Sequence, residues 1–278
     1  MPPTAERRPK SMSDTPIIQT KELTRYFKTS RGLLHAVDHV NLSIPKNKTL
    51  GVVGESGCGK STLGRTVLRL IEPTSGEILY KGQNIVDYNA HQLQELRKSI
   101  QIIFQDPYAS LNPRKTVSEL IADPMKVYHV PKAERNERVQ ELMETVGLAE
   151  RFAQAFPHEL DGGRRQRIGI ARALSLEPEF IVCDEPVSAL DVSIQAQILN
   201  LLMDLQDSKG LTYMFITHDL SVVRHISDEI IVMYLGVVVE RSPAKELFSH
   251  PLHPYTKELI KAIPIPDLKP EHRLVNSL

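Results

Sequence analysis

From Ile17 the pattern alternates through Gln19, Lys21 and Leu23, and again at Val37, Val40, Leu42 and Ile44, the two-residue period of half-buried strands. These stretches predict an antiparallel layer near the N-terminus. Residues 49–53, Thr-Leu-Gly-Val-Val, form instead a short continuous apolar run closing on glycine, as expected of a strand covered on both faces. Similar runs occur at 100–104, 180–183 and 213–217, separated by stretches of helical character. Strands alternating with helices predict a parallel α/β sheet. Between the runs at 100 and 180, Val139, Leu142, Met143 and Val146 recur at helical spacing and predict an inserted helical subdomain. Residues 230–234 and 237–240 flank Leu235-Gly236 and predict a hairpin.

Composition narrows the class. The chain has 278 residues, 34 Lys plus Arg against 34 Asp plus Glu, 41% hydrophobic residues and 5% aromatic residues. That is a globular balance, which excludes an acidic disordered chain and a basic nucleic-acid arm. The length accommodates one large domain with inserted subdomains and excludes full-length domain repeats. The longest nearly unbroken apolar stretch, 230–239, is about half the roughly 20 residues a bilayer crossing needs, and Gly236 interrupts it. The first ten residues carry basic side chains with no apolar run behind them, so no secretory signal is expected. Two cysteines, Cys58 and Cys183, make neither a disulfide framework nor a pair at metal-ligand spacing. A reducing, cytosolic setting is the expectation.

Chemistry concentrates first in Gly54-Glu55-Ser56-Gly57-Cys58-Gly59-Lys60-Ser61-Thr62, which follows a buried strand and precedes an apolar-periodic stretch with Leu63, Val67, Leu68 and Leu70. Glycines let backbone N–H groups turn inward around phosphate oxygens, and a helix N-terminus adds its positive dipole end. Lys60 is placed to bridge β- and γ-phosphates, and the Ser61 hydroxyl to ligate Mg²⁺. Cys58 is read as a small tolerated residue of the loop without a role of its own. The run at 180–183 continues into two carboxylates, Asp184 and Glu185. Asp184, at a strand end beside the loop, is read as a holder of Mg²⁺ through its water shell, and Glu185 as the group that faces the attacking water.

The order of these motifs resembles the nucleotide-binding subunit of an ATP-binding cassette (ABC) transporter, a likeness running from about Ile17 to Asp267. It implies a P-loop NTPase of the ABC type: a RecA-like parallel core, an N-terminal antiparallel β layer and an inserted helical subdomain. The boundaries expected are a tail at 1–15, a domain at 16–267 and a tail at 268–278. Within the domain the core spans 16–105 and 176–240, the helical subdomain about 106–175, and a C-terminal segment 241–267. The resemblance further implies roles for four sites. Gln105 matches the glutamine loop, touching Mg²⁺ and water and relaying to membrane subunits. Ser188-Ala189-Leu190-Asp191 matches the D-loop, His218 the switch histidine at the γ-phosphate, and Phe27 the aromatic that stacks on adenine, with Tyr26 as the fallback.

One motif departs from the family. Its signature, Leu-Ser-Gly-Gly-Gln, is here Leu160-Asp161-Gly162-Gly163-Arg164, followed by Arg165. In the family this segment caps the γ-phosphate held by the opposite subunit. Asp serves as well as Ser as a helix N-cap. Near a γ-phosphate, however, a carboxylate repels by about 4 kcal/mol at 4 Å per unit charge with an effective dielectric near 20. Arg164 or Arg165 offsets this by pairing with Asp161 or by reaching the phosphate, and the sequence leaves both open. Two readings follow: a heterodimer with unequal ATP sites, in which this chain's own Lys60, Asp184, Glu185 and His218 stay competent, or a tolerated variant with both sites active.

Residues 104–114, Phe-Gln-Asp-Pro-Tyr-Ala-Ser-Leu-Asn-Pro-Arg, and the stretch His253-Pro254-Tyr255-Thr256-Lys257-Glu258-Leu259 with Ala262-Ile263-Pro264 are similar to the oligopeptide, dipeptide and nickel importer branch. As chemistry alone they are turns and a short amphipathic helix. The resemblance implies the shorter of two different ATPases, working with two membrane permeases and, indirectly, an extracytoplasmic binding protein, at the cytoplasmic face of the membrane. It implies ATP and Mg²⁺, no iron–sulfur cluster, and no nucleic-acid partner. The alternative is a soluble ABC-type switch ATPase acting on nucleic acid or ribosomes, a class that usually carries two cassettes or a long coiled-coil insertion. A P-loop nucleotide kinase leaves Gly162-Gly163 and His218 without a purpose.

Overall fold

The strands divide into two sheets with different pairing rules. In the computed structural model, which describes residues 15–30 and 32–262, β1 (Ile18–Thr29) pairs antiparallel with β2 (Gly32–Ile44) on one side and with β4 (Ser75–Tyr80) on the other, and β5 (Gln83–Asn84) completes this four-stranded layer. Residues 1–14 and 263–278 lie outside the described residues; they hold all of the expected tails but Thr15, together with Ile263-Pro264 and the end of the expected C-terminal segment. The second sheet has six strands in the order β10-β9-β3-β8-β7-β6. These are β3 (Thr49–Val53), β6 (Ile100–Ile103), β7 (Phe180–Asp184), β8 (Thr212–Ile216), β9 (Glu229–Tyr234) and β10 (Val237–Pro243). All its pairs are parallel except the β9–β10 hairpin, which turns at Leu235-Gly236 as expected. Strands β3, β7 and β8 are buried along their whole length, which is why they read as unbroken apolar runs.

The stretch between β3 and β6 corrects the sequence reading, which assigned helical character throughout. It holds α1 (Lys60–Val67), then the strands β4 and β5, then α2 (Ala90–Ser99). Only Ile78 of β4 is fully buried, and its backbone partner is Thr20, far back in the chain. A strand with one buried side chain carries no readable period; its partner on β1 makes it a strand.

Helix α1 lies between the two sheets. Leu63 and Val67 are fully buried in the same cluster as Ile18, Leu23, Val37 and Ile78, each burial worth about 2 kcal/mol. On its other side Gly64 presses on the central strands: a Cβ there would stand 2.6 Å from Ile216 Cδ1 and 2.9 Å from Val182 Cγ1. The helix therefore seats its first turn over the ends of β7 and β8.

Between β6 and β7 the chain makes α3 (Pro107–Ser110), α4 (Val117–Val127), α5 (Lys132–Thr145) and α6 (Gly162–Leu174). A capping box between Thr116 and Glu119 starts α4, and the predicted face Val139, Leu142, Met143, Val146 is buried. Helices α7 (Val192–Lys209), α8 (Leu220–Ile226), α9 (Ala244–Ser249) and α10 (Pro254–Lys261) complete the described chain. None of the described helices is long and apolar enough to cross a membrane.

Candidate functional site

The loop 54–59 joins β3 to the first turn of α1 and forms the floor of a cleft of about 730 Å³. Gly59, the residue before the helix, has φ +106, and a Cβ on it would stand 1.9 Å from the Ala36 carbonyl oxygen. Only glycine fits that conformation and that approach. Lys60 is buried and folds back over the loop, donating to the carbonyls of Gly54 (2.7 Å) and Glu55 (2.8 Å). Cys58 is also buried; burial pushes its thiol up, and the nearby Lys60 ammonium pulls only part of the way back.

From the central strands come the carboxylates. Asp184 closes β7 with 1% exposure; its Oδ1 accepts from Ser61 Oγ (2.7 Å) and its Oδ2 pairs with the Arg65 guanidinium (3.2 Å). Glu185 follows with φ +48, the left-handed region a side-chain-bearing residue rarely enters, while its N–H still donates to the Ile216 carbonyl (2.9 Å). Such strain, costing on the order of 1–3 kcal/mol, turns the chain sharply at the strand end. The Glu185 carboxylate is a meeting point: Oε2 accepts from Gln105 Nε2 (2.9 Å) and lies 3.2 Å from His218 Nδ1. Among the described residues no group donates to its Oε1.

Phe27, Lys60, Ser61, Gln105, Glu185 and His218 all line this one cleft, together with Ser56, Gly57, Gly59 and Thr62. Phe27 has one face against the Arg25 guanidinium, 4.4 Å from its centroid. Tyr26 is committed elsewhere, donating to Asp38 and stacking on His35 at 4.0 Å. This separates the two aromatics that the sequence left as first choice and fallback. The Ser61 hydroxyl beside a buried carboxylate is a hard-oxygen donor set of the kind Mg²⁺ takes, so the residues fit that ion.

The altered signature lies away from this cleft at the start of α6. Asp161 caps the helix, accepting from the Arg164 N–H at 2.8 Å, and the Arg164 guanidinium closes onto the same carboxylate. Arg165 instead lies over the Tyr108 ring, 5.3 Å from its centroid. The structure thus chooses between the two arginines: Arg164 pairs with Asp161. Gly163 and Gly162 pack closely against the start of α7 and the residue just before Asp191, where added Cβ atoms would meet Ile194 at 2.7 Å and Leu190 at 3.1 Å. Ser188 Oγ donates to the Glu185 carbonyl (3.1 Å), and Asp191 opens α7 without a side-chain capping bond.

Sequence reasoning missed Arg65, although it stands four residues after Ser61 on the same helix, the spacing that puts two side chains on one face. It also missed Leu33, Leu34, His35 and Ala36 at the cleft edge, where an alternating strand gives no sign of what its exposed face meets.

Two family models match the chain: one described as ABC transporter over residues 37–188, and one described as Oligopeptide/dipeptide transporter, C-terminal region, over residues 239–277. The oligopeptide transport ATP-binding protein OppF of Bacillus subtilis is 56% identical over 254 residues, covering 90% of this chain and 83% of that protein. The dipeptide transport ATP-binding protein DppF of Haemophilus influenzae is 50% identical over 258 residues, covering 90% and 79%. Among solved structures, a dimeric ATP-binding cassette in a post-hydrolysis state with ADP and phosphate aligns with a TM-score of 0.74 at 31% identity, covering 82% of this chain and 98% of that one.

Proposed function

The chain belongs to the ABC transporter family, as an ATP-binding subunit of its oligopeptide and dipeptide branch, and from that premise we propose how its cleft works and with what it assembles. It is an ATPase coupled to transport, serving peptide import. The observation that carries the mechanistic reading is the convergence on one cleft of a glycine loop with Lys60 and Ser61, and of Gln105 and His218 on a single oxygen of Glu185, with the buried Asp184 behind the cleft wall on the Ser61 hydroxyl.

ATP enters with its adenine against the free face of Phe27 and its phosphates in the loop 54–62, where backbone N–H groups and the dipole of α1 meet the negative charge. Lys60 exchanges the carbonyls of Gly54 and Glu55 for phosphate oxygens. Ser61 and Asp184, with Gln105, are the residues that would hold Mg²⁺, which supplies charge neutralisation at the β- and γ-phosphates. Glu185 orients water for in-line attack. Gln105 and His218 hold one of its oxygens and so fix the carboxylate plane, leaving the other for the nucleophile. His218 follows the γ-phosphate, and Ser188 and Asp191 carry the state of Glu185 toward the partner subunit.

The working assembly is a heterodimer of two ATPases at the cytoplasmic face of the membrane, with two permeases and an extracytoplasmic binding protein. Closure on ATP and reopening after hydrolysis drive alternating access. The expected subdivision is a core at 16–105 and 176–240 with a helical subdomain at about 106–175. The two ATP sites are unequal. This chain keeps its own Lys60, Asp184, Glu185 and His218, but lends its partner a paired carboxylate and guanidinium in place of a hydroxyl and an amide.

The test replaces Glu185→Gln in this chain and, separately, the matching glutamate of the partner, in the assembled transporter. The Glu185→Gln complex is expected to lose turnover by roughly 10²- to 10⁴-fold while still binding ATP. The partner's substitution is expected to cost far less. Equal losses would remove the asymmetry, and unimpaired turnover in Glu185→Gln would remove the mechanism.

A further inference from the structure

The C-terminal motif His253-Pro254-Tyr255-Thr256 takes no part in the ATPase mechanism, yet it reaches the phosphate loop. Glu240 on β10, 8% exposed, accepts the backbone N–H groups of Leu252 (2.8 Å) and His253 (2.9 Å), tying down the turn that leads into α10. His253 caps that helix, its Nδ1 accepting from the Tyr255 N–H at 3.2 Å. Tyr255 then packs its ring on Tyr234 at the end of β9, with centroids 4.5 Å apart, and its hydroxyl accepts a hydrogen bond from the Glu55 N–H at 3.1 Å.

That N–H belongs to the same peptide unit as the Gly54 carbonyl, which accepts from Lys60 Nζ at 2.7 Å. One peptide plane of the loop is therefore held at both ends, by Lys60 on its oxygen and by Tyr255 on its nitrogen. Its rotation would swing the Gly54 carbonyl off Lys60 and reorient the N–H groups that follow. Proline at the first helical position fixes the entry into α10, so the hydroxyl is presented from a rigid support.

We propose that Tyr255 is a positioning residue of the phosphate loop: the C-terminal segment pre-sets the Gly54–Glu55 peptide, and with it Lys60, for the phosphates of ATP. The inference rests on the reading that residues 54–62 bind ATP. Its effect falls on nucleotide affinity, because the phenol touches the loop and not the reacting atoms.

The experiment measures the ATP dependence of hydrolysis in the assembled transporter carrying Tyr255→Phe, which keeps the ring and removes only the hydroxyl, beside Tyr234→Phe and Lys60→Ala. Hydrogen exchange of the peptide covering residues 53–57 is followed in the same complexes. Tyr255→Phe is expected to raise the KM for ATP by about three- to tenfold with kcat within about twofold, and to speed exchange in the loop. Tyr234→Phe is expected to change neither. An unchanged KM in Tyr255→Phe, or a fall in kcat at constant KM, overturns the inference. If Lys60→Ala also hydrolyses ATP with an unchanged KM, the failure lies with the ATP site itself; if Lys60→Ala is impaired and Tyr255→Phe is not, it lies with Tyr255 alone.

Discussion

Ser61 and Asp184, 123 positions apart in sequence, are joined by a 2.7 Å hydrogen bond from the serine hydroxyl to a carboxylate that is 1% exposed. The bond links the first turn of α1 to the end of β7, and Arg65 from the next turn holds the second oxygen. A buried carboxylate with both oxygens engaged is fixed in place before any cation arrives.

Asp184→Asn keeps that shape and removes the charge. Magnesium-dependent ATP turnover is expected to fall by about 100-fold or more, since the carboxylate charge that would hold Mg²⁺ beside Ser61 is lost. ATP binding in the presence of EDTA is expected to change little. Comparing turnover with equilibrium binding checks both halves, and full turnover in the variant would exclude Asp184 from the site.

Gly59→Ala tests the loop geometry. With φ at +106 and the Ala36 oxygen only 1.9 Å from where the added methyl would stand, alanine has no relaxed conformation here. A destabilisation of about 2 kcal/mol or more is expected, lowering the thermal midpoint by about 5 °C or more, together with loss of nucleotide binding. Calorimetry and ATP titration of the same preparation read the two effects.

The signature can be restored by Asp161→Ser with Arg164→Gln. The ion pair is half-exposed at both ends, so its loss is expected to alter stability by less than about 1 kcal/mol, and serine replaces the cap. In a transporter silenced at this chain's own site by Glu185→Gln, turnover is expected to rise on the order of tenfold as the partner's site regains its donors. Identical residual rates with and without the restoration would show that Asp161 is a neutral variant.

Glu240 gives a pH dependence. Burial raises its carboxyl, but the Thr256 hydroxyl and the backbone N–H groups of Leu252 and His253 outweigh that and hold it below the ordinary value of 4.5. Because the folded value is depressed, the stability it contributes is present above 4.5 and is lost as the pH falls through the folded value. Glu240→Gln, which cannot accept both N–H groups through equivalent oxygens, is expected to cost about 1–3 kcal/mol in urea denaturation at pH 7 and to show a smaller deficit at pH 3. A deficit independent of pH would contradict this linkage.

Much of the site was legible because its chemistry is local. The loop 54–62 and the pair Asp184-Glu185 are contiguous in sequence and flanked by strands whose burial makes them unbroken apolar runs. The fate of Asp161 was only half legible: its capping role follows from residue type, but the choice of Arg164 over Arg165 depends on where the first turn of α6 faces, with Tyr108 engaging Arg165. Strand β4 and the contact of Tyr255 with Glu55 were not legible at all. Each is decided by a partner distant in sequence, Thr20 for Ile78 and the loop itself for Tyr255, and no local period encodes such a meeting.

The parallel pairing of β6 with β7 matches Ile103 to Cys183, and Gln105 and Glu185 each stand two residues beyond that match. Their 2.9 Å hydrogen bond across 80 positions of sequence is thus set by ladder register and owes nothing to the length of the excursion through α3 to α6. Insertions or deletions in the connections of that excursion would leave the spacing of Gln105 and Glu185 untouched, so the length of the helical segment is uncoupled from the geometry of this pair.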